Sequence, residues 1–175
     1  DYTEICLGQV ANFTNTTTSD RPVINYTWDF GDGTSSTSNN PTHIYSDTGS
    51  YVVNLLAETL DGCTDTASVP ILITITNPPS AAFTASPLED CMPAPITFTD
   101  GSSGDFSIVD WAWDFGDGST DNGQAITPHI YTNDGIYTAS LVVTDNRGCT
   151  GSISRNITIN PLPPVDFSAF QYGCA

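Results

Sequence analysis

The hexamer Trp28-Asp29-Phe30-Gly31-Asp32-Gly33 returns letter for letter as Trp113-Asp114-Phe115-Gly116-Asp117-Gly118, and the surrounding sequence repeats with it. Phe13-Thr14-Asn15 comes back as Phe98-Thr99-Asp100, 85 positions on (98 − 13). His43-Ile44-Tyr45 and Gly49-Ser50-Tyr51 come back as His129-Ile130-Tyr131 and Gly135-Ile136-Tyr137. Asp61-Gly62-Cys63 becomes Arg147-Gly148-Cys149, and Asn77-Pro78 becomes Asn160-Pro161. A fixed internal period means one supersecondary unit used more than once, so the fold must be complete within roughly 85 residues.

A third unit begins near the end. Ala82-Phe83-Thr84-Ala85 is echoed by Asp166-Phe167-Ser168-Ala169, and Cys91 by Cys174. The expected organisation is a first repeat over 1–78, a second over 79–162, and the first strand of a truncated third over 163–175. A sequence opening on Asp1 and stopping inside a repeat is expected of a window from a longer tandem array. The junctions "TNPPSA" (76–81) and "NPLPPV" (160–165) are proline-rich. Proline fixes φ and favours extended backbone, so they predict semi-rigid spacers and an extended rod of successive modules.

Inside each repeat the apolar period is two. Tyr51, Val53, Leu55 and Ala57 share a face, as do Tyr137, Ala139, Leu141 and Val143, while Thr138, Ser140 and Thr144 between them are polar. This is an antiparallel strand with one buried and one wet face. Tyr26, Trp28 and Phe30 form a second such set, matched by Trp111, Trp113 and Phe115. Ile96 and Phe98, matching Ala11 and Phe13, supply another inward strand. About seven short strands in such a length predict an all-β, immunoglobulin-like sandwich. In the hexamer the Trp is the core residue, Asp-Gly at 32–33 and 117–118 signals a hairpin turn, and Gly31 and Gly116 permit a bulge or a close backbone approach. The Gly-x-Tyr triplets at 49–51 and 135–137 suit a corner where a tyrosine hydroxyl ties back to backbone.

With "YTWDFGDG…PTHIYSDTGSYVVNLLAETLDGC" and "WAWDFGDG…TPHIYTNDGIYTASLVVTDNRGC" on the page, the chain closely resembles the PKD (polycystic kidney disease) domain family across both repeats. Its cysteine placement is similar to that of repeats in bacterial surface proteins, notably of gliding Bacteroidetes. The resemblance implies extracellular β-sandwich modules used for spacing, adhesion and ligand contact, in a cell-surface protein or filament of the kind that serves gliding motility.

Charge narrows the partners. Three arginines (Arg21, Arg147, Arg155) and no lysine stand against 20 acidic residues, for a net charge of −17. Phosphate backbones need clustered cations, so nucleic-acid binding is excluded, and anionic lipid surfaces are disfavoured. No run approaches the roughly 18 apolar residues of a membrane span. The expected partners are neighbouring repeats of the same chain, with other surface proteins or polysaccharide as further candidates.

The aspartates Asp29, Asp32, Asp114 and Asp117 could be paired catalytic carboxylates, but each copy carries the same set, and turn chemistry explains them more simply. His43 and His129 have no repeated Ser or Cys nucleophile beside them and read as packing residues. No cofactor is expected, with calcium the one possibility: Asp47, Asp61, Asp65, Asp134 and Asp145 are loop acids, though none forms a regular calcium-loop spacing. The bland alternative is an acidic surface that keeps a polymer soluble. Zinc is disfavoured because no C-x-x-C occurs. Asn12, Asn15, Asn25 and Asn156 open N-x-[ST] sequons, which matter only in a eukaryotic secretory host.

Among the cysteines, Cys6 and Cys63 lie 57 apart (63 − 6), and Cys91 and Cys149 lie 58 apart (149 − 91). Pairing within repeats, Cys6–Cys63 and Cys91–Cys149 with Cys174 left over, is the simplest assignment. A bridge between neighbouring repeats is the alternative, because the two cysteines of a repeat fall at opposite ends of an immunoglobulin-like order. Either pairing implies an oxidising compartment. Tyr2, Phe106, Phe170 and Tyr172 are the aromatics outside the repeat pattern and hence the candidate ligand contacts. The function expected is a non-catalytic extracellular stalk, spacer and adhesion element of a long surface protein or filament. The alternative is a ligand- or carbohydrate-binding accessory module of a secreted degradative enzyme.

Overall fold

The strand alternation read from the sequence organises both repeats. The structure is a computed structural model that describes residues 2–66, 71–126 and 128–166. The third-repeat residues 167–175, including Phe167, Phe170, Tyr172 and Cys174, lie outside the described residues. Among the described residues every regular element is a strand. In the first repeat these are β1 (Tyr2–Cys6), β2 (Ala11–Asn12), β3 (Val23–Asp29), β4 (Ser35–Ser36), β5 (Thr42–His43), β6 (Gly49–Thr59), β7 (Thr64–Thr66) and β8 (Ile71–Thr76). The second has β9 (Phe83–Ser86), β10 (Glu89–Cys91), β11 (Ala94–Asp100), β12 (Ile108–Asp114), β13 (Thr120–Asn122), β14 (His129–Tyr131), β15 (Gly135–Asp145) and β16 (Thr150–Asn160).

Contacts gather the chain into two units. Among the described residues, one comprises those up to Pro79 together with Gly104–Ile108 and Thr144–Thr150; the other comprises Ser80–Ser103, those of Val109–Val143 and those from Gly151 on. The first thus includes two short stretches from the second sequence repeat.

In the first unit one sheet runs β1-β8-β6-β3-β4, with β7 also on β6, and β2 pairs with β5 in the other layer. The edge strand β1 lies parallel to β8, Ile5 opposite Ile75. Trp28 on β3 sits opposite Leu55 on β6. Because side chains alternate along each strand, these positions and Val53, Ile73 and Ile75 face a core closed from the other layer by Ala11 and Phe13. Each fully buried large apolar side chain contributes about 1.5–3 kcal/mol, so this one seam holds the module together.

The second unit repeats the plan. Its sheets run β10-β16-β15-β12-β13 and β14-β11-β9. The edge strand β10 is again parallel to its partner, Glu89 opposite Thr158. Ile96 on β11 pairs with His129 on β14, as Ala11 pairs with His43 in the first repeat. Phe83, Ile96, Trp113, Leu141 and Ile157 are buried.

Candidate functional site

The repeated hexamer bridges the end of a central strand and the hairpin that follows. In the first repeat the Asp29 carboxylate accepts the Gly31 amide at 2.9 Å, and Asp32 Oδ1 accepts the Thr34 amide at 3.0 Å and its hydroxyl at 2.6 Å. The second repeat repeats the pattern, with Asp114 holding the Gly116 amide at 2.8 Å and Asp117 the Ser119 amide at 2.9 Å. All four carboxylates therefore brace backbone turns, as short polar side chains do when the chain reverses.

The other oxygen of the second aspartate has a partner that sequence reasoning missed. His43 Nε2 lies 2.6 Å from Asp32 Oδ2, and His129 Nε2 lies 2.7 Å from Asp117 Oδ2. A carboxylate can only accept, so the imidazole N–H is the donor. The clue was the repeated Asp–His interval, 11 residues in one copy and 12 in the other. The expectation that the histidines are packing residues is nevertheless correct. His43 stacks on Phe30 with centroids 4.2 Å apart and meets Tyr45 edge-on at 4.6 Å. His129 does the same with Phe115 at 4.1 Å and Tyr131 at 4.7 Å.

Two tyrosines close the corner. Tyr45 donates its hydroxyl to the Phe30 carbonyl at 3.0 Å, and Tyr131 to the Phe115 carbonyl at 2.8 Å. Tyr51 donates to the Asp47 carbonyl and Tyr137 to the Asn133 carbonyl, both at 3.0 Å, which are the tie-backs expected of the Gly-x-Tyr triplets.

The surroundings set the charge states. Partial burial pushes the Asp32 carboxyl up, but hydrogen bonds from Thr34 and His43 outweigh it and hold the group below the ordinary carboxylate range. Asp117 is likewise lowered: burial opposes, while His129 and Ser119 prevail. Burial, reinforced by the nearby Asp32 charge, pushes the Tyr45 hydroxyl up to about 12, and Tyr131 is raised for the same reasons. A lowered carboxylate facing an imidazole is half of an acid–base relay. At the first pair the Thr34 hydroxyl donates to the same carboxylate and lies 3.5 Å from Nε2. Since Nε2 is spent on Asp32, it cannot serve as base toward that hydroxyl.

The other candidate residues fare differently. Asp145 is not an open loop acid: it is buried, and its Oδ1 accepts the amides of Arg147 and Cys149 at 2.9 Å each. Asp61 pairs with Arg21, and Asp65 Oδ1 accepts the Thr66 amide at 2.9 Å. The calcium candidates Asp47, Asp61, Asp65, Asp134 and Asp145 do not converge: among the described residues no group of three or more His, Cys, Asp or Glu could hold a metal ion. Phe106 is covered by the Arg147 guanidinium, whose carbon stands 3.3 Å from the ring centroid, so it is no free platform for a ligand. The side chain of Tyr2, with Phe170 and Tyr172, lies outside the described residues.

The cysteine pairing within repeats is corrected by the structure. Cys6 is bonded to Cys149, with Cα atoms 5.6 Å apart, while Cys63 and Cys91 are free and exposed. The physical reason is placement. Cys6 lies opposite Thr76, beside the Gly49 end of the 11-residue strand β6, whereas Cys63 follows that strand's other end at Thr59, so the two cysteines of the first repeat stand far apart. Arg147 in the turn that bears Cys149 also pairs with Glu4 at 3.0 Å.

Two-layer sandwiches whose corners are locked by the same tyrosines define the class: tandem immunoglobulin-like modules. Within it the chain belongs to the PKD domain family, whose model matches residues 1–73 and again 76–160. The chain is 32% identical over 142 residues, 81% of its length, to the pre-pro-metalloprotease PrtV of Vibrio cholerae serotype O1 (strain M66-2). It is 42% identical over 69 residues, 38% of its length, to a microbial collagenase of Vibrio alginolyticus. It spans only 15% of the first protein and 8% of the second. Among solved structures, the PKD1 domain of Vibrio cholerae metalloprotease PrtV is 30% identical, with TM-score 0.43, over 47% of this chain and 98% of that one. The PKD1 domain of Vibrio anguillarum Epp is also 30% identical, with TM-score 0.44, over 50% of this chain and 99% of that one. Among the described residues no helix is long and apolar enough to cross a membrane.

Proposed function

We propose that the chain is a non-catalytic extracellular spacer, a run of stiff modules in a long secreted or cell-surface polypeptide. The observation that carries this reading is the use made of the motif in both copies. Every side chain in it that could do acid–base chemistry is engaged in a turn, a ring stack or the Asp–His pair. The Cys6–Cys149 bond supports an oxidising setting, since such bonds are rare in the cytosol. A net charge of −17 supports solubility of a repetitive polymer and opposes its collapse. Spacing also suits the proline-rich junctions, which predict extended connections. Adhesion through other parts of the same polypeptide fits this role.

A second reading, a binding accessory of a secreted degradative enzyme, is favoured by one finding: the relatives include a metalloprotease and a collagenase. Solution scattering and binding together separate the two. The spacer reading expects an elongated particle with and without calcium and no saturable binding to collagen or polysaccharide. Saturable binding would move the assignment to the accessory role, and a compact particle would defeat the spacer.

A further inference from the structure

Cys63 and Cys91 are exposed and free, yet each stands where the fold places a bonded cysteine in the other repeat. Cys6 and Cys91 are both the last residue of the edge strand that runs parallel to the final strand, Cys6 opposite Thr76 and Cys91 opposite Asn160. Cys63 and Cys149 occupy the same turn. The Gly62 amide bonds the Thr59 carbonyl and the Thr59 amide the Cys63 carbonyl, both at 2.9 Å; Gly148 and Asp145 make the matching bonds at 3.0 and 2.9 Å. The bond that exists therefore joins the strand-end cysteine of one repeat to the turn cysteine of the next. The polar groups beside it recur only in part: Glu4 stands two residues before Cys6 and Glu89 two before Cys91, but Arg147, two before Cys149, is matched by Asp61, which pairs with Arg21.

We propose that Cys63 and Cys91 are the open ends of a staggered disulfide series, in which the strand-end cysteine of each repeat bonds the turn cysteine of the repeat after it. The partner for Cys91 is thus a following repeat of this kind, and the partner for Cys63 a preceding one. A second copy of the chain presents both, so its Cys63 is the probe for Cys91. The step needs an oxidant of the disulfide class, such as oxidised glutathione. The Cys91 thiolate attacks one of its sulfurs, forming a mixed disulfide and releasing one small thiol. The Cys63 thiolate of the other copy then displaces the second small thiol. Two protein thiols give up two electrons and two protons in all, and the oxidant leaves as two thiols.

The test uses the whole chain carrying Cys174→Ser, oxidised in a glutathione buffer of moderate ionic strength to screen the acidic surfaces. Non-reducing electrophoresis and peptide mapping should show Cys6–Cys149 in every species and a covalent ladder whose new linkage is Cys91–Cys63. Adding Cys63→Ser leaves only Cys91 to react, and adding Cys91→Ser leaves only Cys63. Mixed together, the two should form a heterodimer at least about tenfold faster than either forms a homodimer, because docking raises the effective concentration of the correct pair. Homodimers forming as fast as heterodimers, no ladder at all, or mapping that returns Cys6–Cys63 and Cys91–Cys149 would each overturn the proposal. The proposal deepens the spacer reading and rests on it for its biological sense. A failed ladder leaves an elongated, non-binding chain intact, whereas saturable ligand binding would sink the spacer reading while leaving the ladder in place.

Discussion

The imidazole of His43 lies flat on the ring of Phe30, the two planes 2° from parallel. The stack fixes the ring so that Nε2 meets Asp32, and this ties β5 to the turn that follows β3. Two segments that share no backbone ladder with one another are thereby held by one side chain. The side chains of His43 and Asp32 are 15% and 17% exposed, so water competes only weakly for this bond. His43→Ala or His129→Ala should therefore cost its repeat about 1.5–3 kcal/mol, the range of a hydrogen bond to a charged group. Urea unfolding of each variant measures it. A double-mutant cycle with Asp32→Asn should return a coupling above about 0.5 kcal/mol; additive losses would mean that the stack alone matters.

Acid should weaken both repeats. Asp32 and Asp117 have carboxyls held below the ordinary range when folded, as does Asp100, where burial is outweighed by bonds from Ser102, Trp111 and Gln124. A folded value below the unfolded one gives stability that is complete above the unfolded value of about 3.9 and lost as pH falls through the folded value. The competing effect is relief of acidic self-repulsion, which would raise stability over the same window. Denaturant midpoints measured down the acid limb should fall, and Asp117→Asn should flatten that fall. A midpoint that climbs steadily on acidification would show that repulsion dominates.

Much of this was legible in the sequence. Period two placed Val53, Leu55, Leu141 and Val143 in the core, and Asp-Gly placed the hairpins, because both follow from local backbone geometry. The Asp32–His43 pair was hidden because it depends on how far β5 travels before it crosses the turn. The cysteine pairing was legible only as the alternative, a bridge between neighbouring repeats suggested by the opposite-end placement of the two cysteines of a repeat. Equal spacings of Cys6–Cys63 and Cys91–Cys149 say only that the repeats are alike, whereas the bond forms between whichever thiols packing brings within about 4.4–6.8 Å at Cα. Within the first repeat packing keeps the two apart, because Cys6 sits beside the Gly49 end of β6 and Cys63 follows its Thr59 end.

The two core tryptophans are predicted to differ. Both are buried, at 3% for Trp28 and 2% for Trp113, so either change to Ala should cost about 3–5 kcal/mol. Their indole N–H groups are not equivalent. Trp113 Nε1 donates to the Gly123 carbonyl at 3.1 Å, whereas Trp28 Nε1 is buried with no partner among the described residues. Change to Phe removes a satisfied donor in one case and an orphan in the other. Trp113→Phe should be the more damaging by about 1 kcal/mol, the net worth of a typical hydrogen bond. Equal losses would point to packing volume alone.

The hexamer's two glycines make the sharpest contrast. Gly31 and Gly33 both hold positive φ, at 79° and 89°. A Cβ on Gly33 would meet nothing within 4 Å, but one on Gly31 would lie 2.6 Å from the Val52 carbonyl oxygen, and one on Gly116 would lie 2.7 Å from that of Thr138. Gly33→Ala thus carries only the left-handed backbone penalty of about 1–2 kcal/mol. Gly31→Ala and Gly116→Ala add a collision with backbone of the long neighbouring strand, which cannot move without opening β6 or β15. Thermal unfolding should rank Gly31→Ala well below Gly33→Ala, and Gly116→Ala well below Gly118→Ala. If each pair melts together, the close approach is not what holds the corner, and the turn alone sets the requirement for glycine.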